Sequence, residues 1–218
     1  MKKTFINPSY LVLASICLLG YILDPIFVLI QEKHLGCSIV DWSSDNLVSH
    51  WIVMTLIWLF ISMSTLTIAH RLNNLDVVRN KWTLNSRNAI WTLTITIFSV
   101  LVIFIIKRQF GFVYAIKHWQ IIYIALYAYY LAEILVAICF VCLLQNYCEL
   151  NVSRFKKFPW GGLFLGLTWG LMHWWTQQSL AVGAIGVVLG LLFGLLYVLF
   201  ECNFILTYII CFCLFVCL

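Results

Sequence analysis

The stretch GGLFLGLTWGLMHWWTQQSLAVGAIGVVLGLLFGLLYVLF, residues 161–200, contains two apolar runs joined by the polar pair Gln177 and Gln178. Small residues recur every four positions in both runs: Gly162, Gly166 and Gly170 in the first, and Gly186, Gly190 and Gly194 in the second. In a helix this period places the glycines on one face, where two backbones can approach closely. The runs are therefore predicted to be consecutive helices that pack against each other. Homodimerisation through the same glycines is the alternative.

The rest of the chain is equally apolar. Of its 218 residues, 64% are hydrophobic and 10% are charged, which is typical of an integral membrane protein and excludes an ordinary soluble domain. About 20 apolar residues cross a hydrocarbon core about 30 Å thick. The sequence therefore predicts an all-α, polytopic transmembrane helical bundle of seven spans, or six because the fifth and seventh are short. The predicted spans are 10–30, 48–69, 89–106, 121–144, 161–175, 179–200 and 204–218.

The distribution of basic residues predicts a cytoplasmic N-terminus, because cytoplasmic loops carry an excess of Lys and Arg. In that orientation the cytoplasmic side holds Lys2, Lys3, Arg71, Arg79, Lys81, Arg87, Arg154, Lys156 and Lys157, and the outer side holds Lys33, Lys107, Arg108 and Lys117. The net charge of +5 is then an orientation signal that points to membrane lipid and not to nucleic acid. The predicted location is the plasma membrane, a bacterial cell membrane by default.

The chain divides by loop length into two regions. Residues 1–117 form a three-span region with polar loops, and residues 118–218 form a region of four closely connected spans. Nine cysteines are present, but most lie in apolar spans, so we interpret them as small hydrophobic residues.

Two ionisable residues fall well inside predicted spans, Glu133 and His173. Glu133 lies eleven residues before residue 144 and His173 eleven residues after Gly162, so both are about 16 Å from the cytoplasmic side at 1.5 Å per residue. Such a pair can form a structural polar clamp, a proton relay, or part of a metal site. Asp24, His50 and Glu201 lie near predicted span ends, where water or headgroups can solvate them.

Trp169 is four residues before His173 and shares its helix face. With Glu133, this spacing resembles the CPBP family of intramembrane metalloproteases, which includes the CAAX prenyl endopeptidases and the bacterial Abi proteins. The resemblance covers residues 118–218. The family has Glu-Glu-x-x-x-Arg, Phe-x-x-x-His and His-x-x-x-Asn motifs on successive helices. It implies Glu133 and His173 as catalytic residues, His173 as a metal ligand, Trp169 as a supporting residue, and zinc as the cofactor if the protein is active.

Two of the three motifs depart from this pattern. Ala132 stands where the first motif has its other glutamate, and Ala137 stands where it has arginine. The third motif is expected near residues 210–211 and 214–215, which are Ile, Cys, Leu and Phe, and no histidine follows His173. If the protein is inactive, the resemblance implies no cofactor.

These departures favour a catalytically degenerate CPBP-like protein that acts as a scaffold or partner subunit for another integral-membrane protein, or that self-associates. The alternatives are an active metallo-endopeptidase that uses Glu133 and His173, and a proton-coupled transporter component in which the same two residues relay protons.

Overall fold

The computed structural model describes residues 8–73, 86–107, 121–152, 157–177 and 179–217. Its regular elements in these ranges are helices. They are α1 (Pro8–Leu35), a 3₁₀ turn (Ile39–Asp41), α2 (Ser44–Asn73), α3 (Ser86–Lys107), α4 (Ile121–Asn151), α5 (Trp160–Leu165), a π-helical turn (Gly166–Gly170), α6 (Leu171–Gln177), α7 (Leu180–Leu199) and α8 (Phe204–Val216).

Four of these helices, α1, α2, α4 and α7, are long and apolar enough to cross a membrane. Two further helices contain shorter apolar segments, Arg87–Leu101 in α3 and Phe204–Val216 in α8. The predicted fifth span is helical from residue 160 to residue 177, but the π-helical turn interrupts it. Several of the basic residues on which the predicted orientation depends lie outside the described ranges: Lys2, Lys3, Arg79, Lys81, Arg108, Lys117, Arg154 and Lys156.

Helix α4 is the centre of the bundle. Its residues from Ala132 to Asn146 are buried except Leu135, because α1, α2, α5 and α8 pack on it. The helix continues past the predicted end at residue 144 to Asn151. The hydroxyl of Tyr21 on α1 donates a hydrogen bond to the carbonyl of Glu133 at 2.9 Å. The core thus extends across the boundary predicted between residues 117 and 118.

The two glycine ladders form a single seam between the segment 160–177 and α7. The residues oppose each other in three pairs: Gly162 with Gly194, Gly166 with Gly190, and Gly170 with Gly186. A Cβ atom on Gly190 would lie 2.5 Å from the backbone nitrogen of Gly166, so no side chain fits there. Both ladders are therefore occupied within one chain, and this packing leaves neither exposed for homodimerisation.

Hydrogen bonds of Gln145, a fully buried residue, stabilise the connection between α4 and α5. Its Oε1 accepts a hydrogen bond from the Gly161 amide at 3.1 Å, and its Nε2 donates to the Phe158 carbonyl at 2.9 Å. The Gln145 side chain thus satisfies the Gly161 amide at the start of α5, which the helix itself cannot satisfy. This contact sets the position of the segment that carries Trp169 and His173 relative to α4.

Candidate functional site around Glu133 and His173

Glu133 is a buried carboxylate on α4 with 4% of its surface exposed. The indole Nε1–H of Trp169 donates a hydrogen bond to its Oε1 at 2.9 Å. Burying an ionisable side chain among apolar residues is costly unless a polar group compensates for it. The Trp169 indole provides this compensation, so the bond joins α4 to the π-helical turn.

His173 lies one turn further along, and its Nε2 is 3.8 Å from the same Oε1 of Glu133. This distance is too long for a direct hydrogen bond. Its Nδ1 is 2.9 Å from the carbonyl oxygen of Trp169, and a carbonyl can only accept, so Nδ1 carries a proton. Nε2 is therefore the nitrogen that faces the carboxylate. The His173 side chain is 26% exposed, so the site is open on this side.

The π-helical turn Gly166–Gly170 determines how these side chains are presented. Single π-helical turns inside α-helices are rare and are often found at functional sites. Here the turn contains Trp169, whose ring meets that of His173 edge-on with centroids 4.5 Å apart. The structure thus brings Glu133, Trp169 and His173 into one cluster.

Three further aromatic rings surround Trp169 in this cluster. The Trp169 ring has Phe215 at 5.9 Å, Phe193 at 6.2 Å and Tyr21 at 6.4 Å between centroids. Phe215 occupies one of the positions where the family resemblance implies the third motif. Cys211, another of these positions, is fully buried on the same helix. At Phe215, a hydrocarbon ring therefore faces the cluster where the resemblance would place a polar residue.

The donor set does not fit the zinc ion that the resemblance implies for an active protein. Within the described ranges no group of three or more His, Cys, Asp or Glu side chains is arranged to hold a metal. A catalytic zinc site uses three protein ligands, whereas this cluster offers one carboxylate and one imidazole. The bond from Trp169 also occupies the carboxylate oxygen that is nearest to His173.

A second carboxylate–histidine pair, buried His50 and partly exposed Asp24, lies between α1, α2 and α4. The prediction that His50 is solvated at a span end is wrong, because it is only 2% exposed. Its Nε2 is 3.1 Å from Asp24 Oδ1 and its Nδ1 is 2.7 Å from Gln31 Oε1. Asp24 itself lies inside helix α1, which continues through Pro25 to Leu35. Residues 31–34 are polar, so hydropathy places the end of the span before them. Helix α1 nevertheless continues through them, and this continuation cannot be read from hydropathy.

Comparison of the chain with protein-family models found no match, and neither the curated proteins nor the solved structures contain a match to it.

Proposed function

We propose that this chain is a CPBP-like multi-pass protein of the plasma membrane that has lost catalysis and acts as a scaffold or partner subunit for another integral-membrane protein. The observation that carries the proposal is the hydrogen bond from Trp169 Nε1–H to Glu133 Oε1. It gives the one carboxylate of the cluster a structural partner at Oε1, one of the two oxygens through which a general base would reach water or substrate.

The surroundings of Glu133 support the same proposal. A general base must come within hydrogen-bond reach of the proton it removes, directly or through one water molecule. Glu133 is buried, its Oε1 is bound by Trp169, and the Phe215 ring lies 5.9 Å from that indole between centroids. The cluster is thus suited to joining helices α4, α5–α6 and α8, which is what a scaffold requires.

The second candidate function is an intramembrane endopeptidase with Glu133 as general base and His173 as its partner. The observation that favours it is the 3.8 Å approach of His173 Nε2 to Glu133 Oε1 on the open side of the cluster. For this function a rotation of Trp169 would have to free the carboxylate.

Copurification from the native membrane separates the two functions, with Glu133→Gln as the matched variant. A glutamine oxygen can still accept the Trp169 hydrogen bond, but the side chain can neither act as a base nor bind zinc tightly. The tagged wild-type protein and Glu133→Gln are solubilised, and light scattering with mass spectrometry gives the composition and mass of each complex.

We expect one integral-membrane partner in a fixed ratio, or a defined multiple of the chain, and the same complex with Glu133→Gln. A wild-type protein that is monomeric, free of partners and loaded with one zinc ion would overturn the proposal.

A further inference from the structure

The Asp24–His50 pair is a polar contact separate from the Glu133 cluster. It lies where α1, α2 and α4 meet, with Asp24 and Gln31 on α1, His50 on α2 and Tyr129 on α4. Tyr129 precedes Glu133 by one helical turn, so the pair contacts the same helix that carries the candidate site.

The hydrogen-bonding partners favour one protonation state of this pair. A neutral imidazole has one N–H donor and one bare nitrogen acceptor, whereas the imidazolium has two donors. Both ring nitrogens of His50 face oxygen atoms, Gln31 Oε1 at 2.7 Å and Asp24 Oδ1 at 3.1 Å. The same Asp24 oxygen also accepts a hydrogen bond from the hydroxyl of Tyr129 at 3.4 Å. An imidazolium beside a carboxylate satisfies each of these contacts.

We propose that Asp24 and His50 form a charged clasp that fastens the α1–α2 pair to α4. Aromatic rings enclose the imidazolium: Phe27 stacks on it at 5.7 Å, and Trp42 meets its edge at 5.7 Å. The face of an aromatic ring attracts a cation, so Phe27 adds to the stabilisation that Asp24 provides. The titratable groups that contact His50 from the neighbouring helices are Asp24 of α1 and Tyr129 of α4.

His50 is 2% exposed and Asp24 is 20% exposed. Removing the Asp24 charge leaves the buried imidazolium without its counter-ion, which is destabilising. The clasp therefore predicts that neutralising Asp24 loosens α1 from its neighbours. Cys17 reports on this interface, because it lies two turns before Asp24 on α1, is fully buried, and has its Sγ 3.9 Å from Thr65 Oγ1 on α2.

The charge state is tested by ¹⁵N NMR of the wild-type protein, labelled at its five histidines, in lipid nanodiscs at neutral pH. The His50→Gln variant identifies the resonances of His50. We expect both ring nitrogens of His50 to have shifts of protonated nitrogen. One protonated and one bare nitrogen would show a neutral ring and would overturn the charged pair. If His50→Gln does not fold, an all-neutral wild-type spectrum is equally decisive against the proposal, and a buried, solvent-protected imidazolium signal supports it.

The clasp is tested by maleimide labelling of the intact protein, with site-resolved mass spectrometry. Cys37, which lies in the loop between α1 and the 3₁₀ turn, serves as the internal reference. In Asp24→Asn we expect Cys17 to react at least about ten-fold faster relative to Cys37 than in the wild type, because the loosened interface admits the reagent. Asp45→Asn removes an exposed charge on α2 and should leave the ratio unchanged. Equal ratios in Asp24→Asn and Asp45→Asn would overturn the clasp.

Discussion

The glycine seam between the segment 160–177 and α7 allows a quantitative prediction for the substitution Gly190→Ala. The added Cβ would lie 2.5 Å from the Gly166 nitrogen and 2.6 Å from the Gly166 Cα. Both are backbone atoms, so no side-chain rotation can relieve the contact, and the two helices must separate. The substitution therefore acts on the packing of the whole seam.

The expected loss of stability follows from two opposing effects. Overpacking a well-packed interface costs about 3 kcal/mol when the backbone must move. The higher helix propensity of alanine stabilises the protein by about 1 kcal/mol relative to glycine, so the net loss of stability is about 2 kcal/mol. For a chain of this size that corresponds to a decrease in melting temperature of roughly 6 °C.

Thermal unfolding of the purified protein in lipid nanodiscs measures this effect. Val188→Ile is the matched control, because it adds one carbon to the same helix at a position that is 62% exposed. Its melting temperature should equal that of the wild type. If Gly190→Ala is as stable as Val188→Ile, the two backbones are not in close contact at Gly166 and Gly190, and the seam described here is wrong.

Three further changes test other contacts by the same measurement. Trp169→Phe removes the indole N–H that binds the buried carboxylate and should cost about 2 kcal/mol, whereas exposed Trp174→Phe should cost nothing measurable. Gln145→Ala removes the bonds that start α5 and should cost about 2 kcal/mol, while exposed Asn151→Ala should cost much less. Glu201→Gly should stabilise the protein by about 1 kcal/mol, because Glu201 has a φ of 53°, and Glu201→Gln should have no effect.

Hydropathy and glycine period predict much of this architecture. The apolar runs locate the helices, because length and composition are properties of each run alone. The four-residue glycine period predicts which helices pack closely, since every member lies on one helix face. The proximity of Glu133 and His173 follows from their similar depth on consecutive helices, and the structure places them 3.8 Å apart.

Other features depend on tertiary contacts that no local pattern records. The π-helical turn at Gly166–Gly170 accompanies close packing against α7, whereas its sequence has the period of an ordinary helix. The burial of His50 depends on α1 continuing through residues 31–34, which are polar but favour helix. The closure of the cluster by Phe215 depends on where α8 docks, and an apolar helix gives no orientation signal for that.

The central claim is that Glu133 holds helices together and does no chemistry. It is tested most directly by incubating purified wild-type protein and Glu133→Gln in nanodiscs with zinc and a panel of transmembrane and lipid-modified peptides. Intact-mass spectrometry then detects cleavage. We predict no cleavage above the protein-free control by either protein, together with equal melting temperatures, because the glutamine retains the Trp169 bond. Cleavage by the wild type that disappears in Glu133→Gln would contradict the claim.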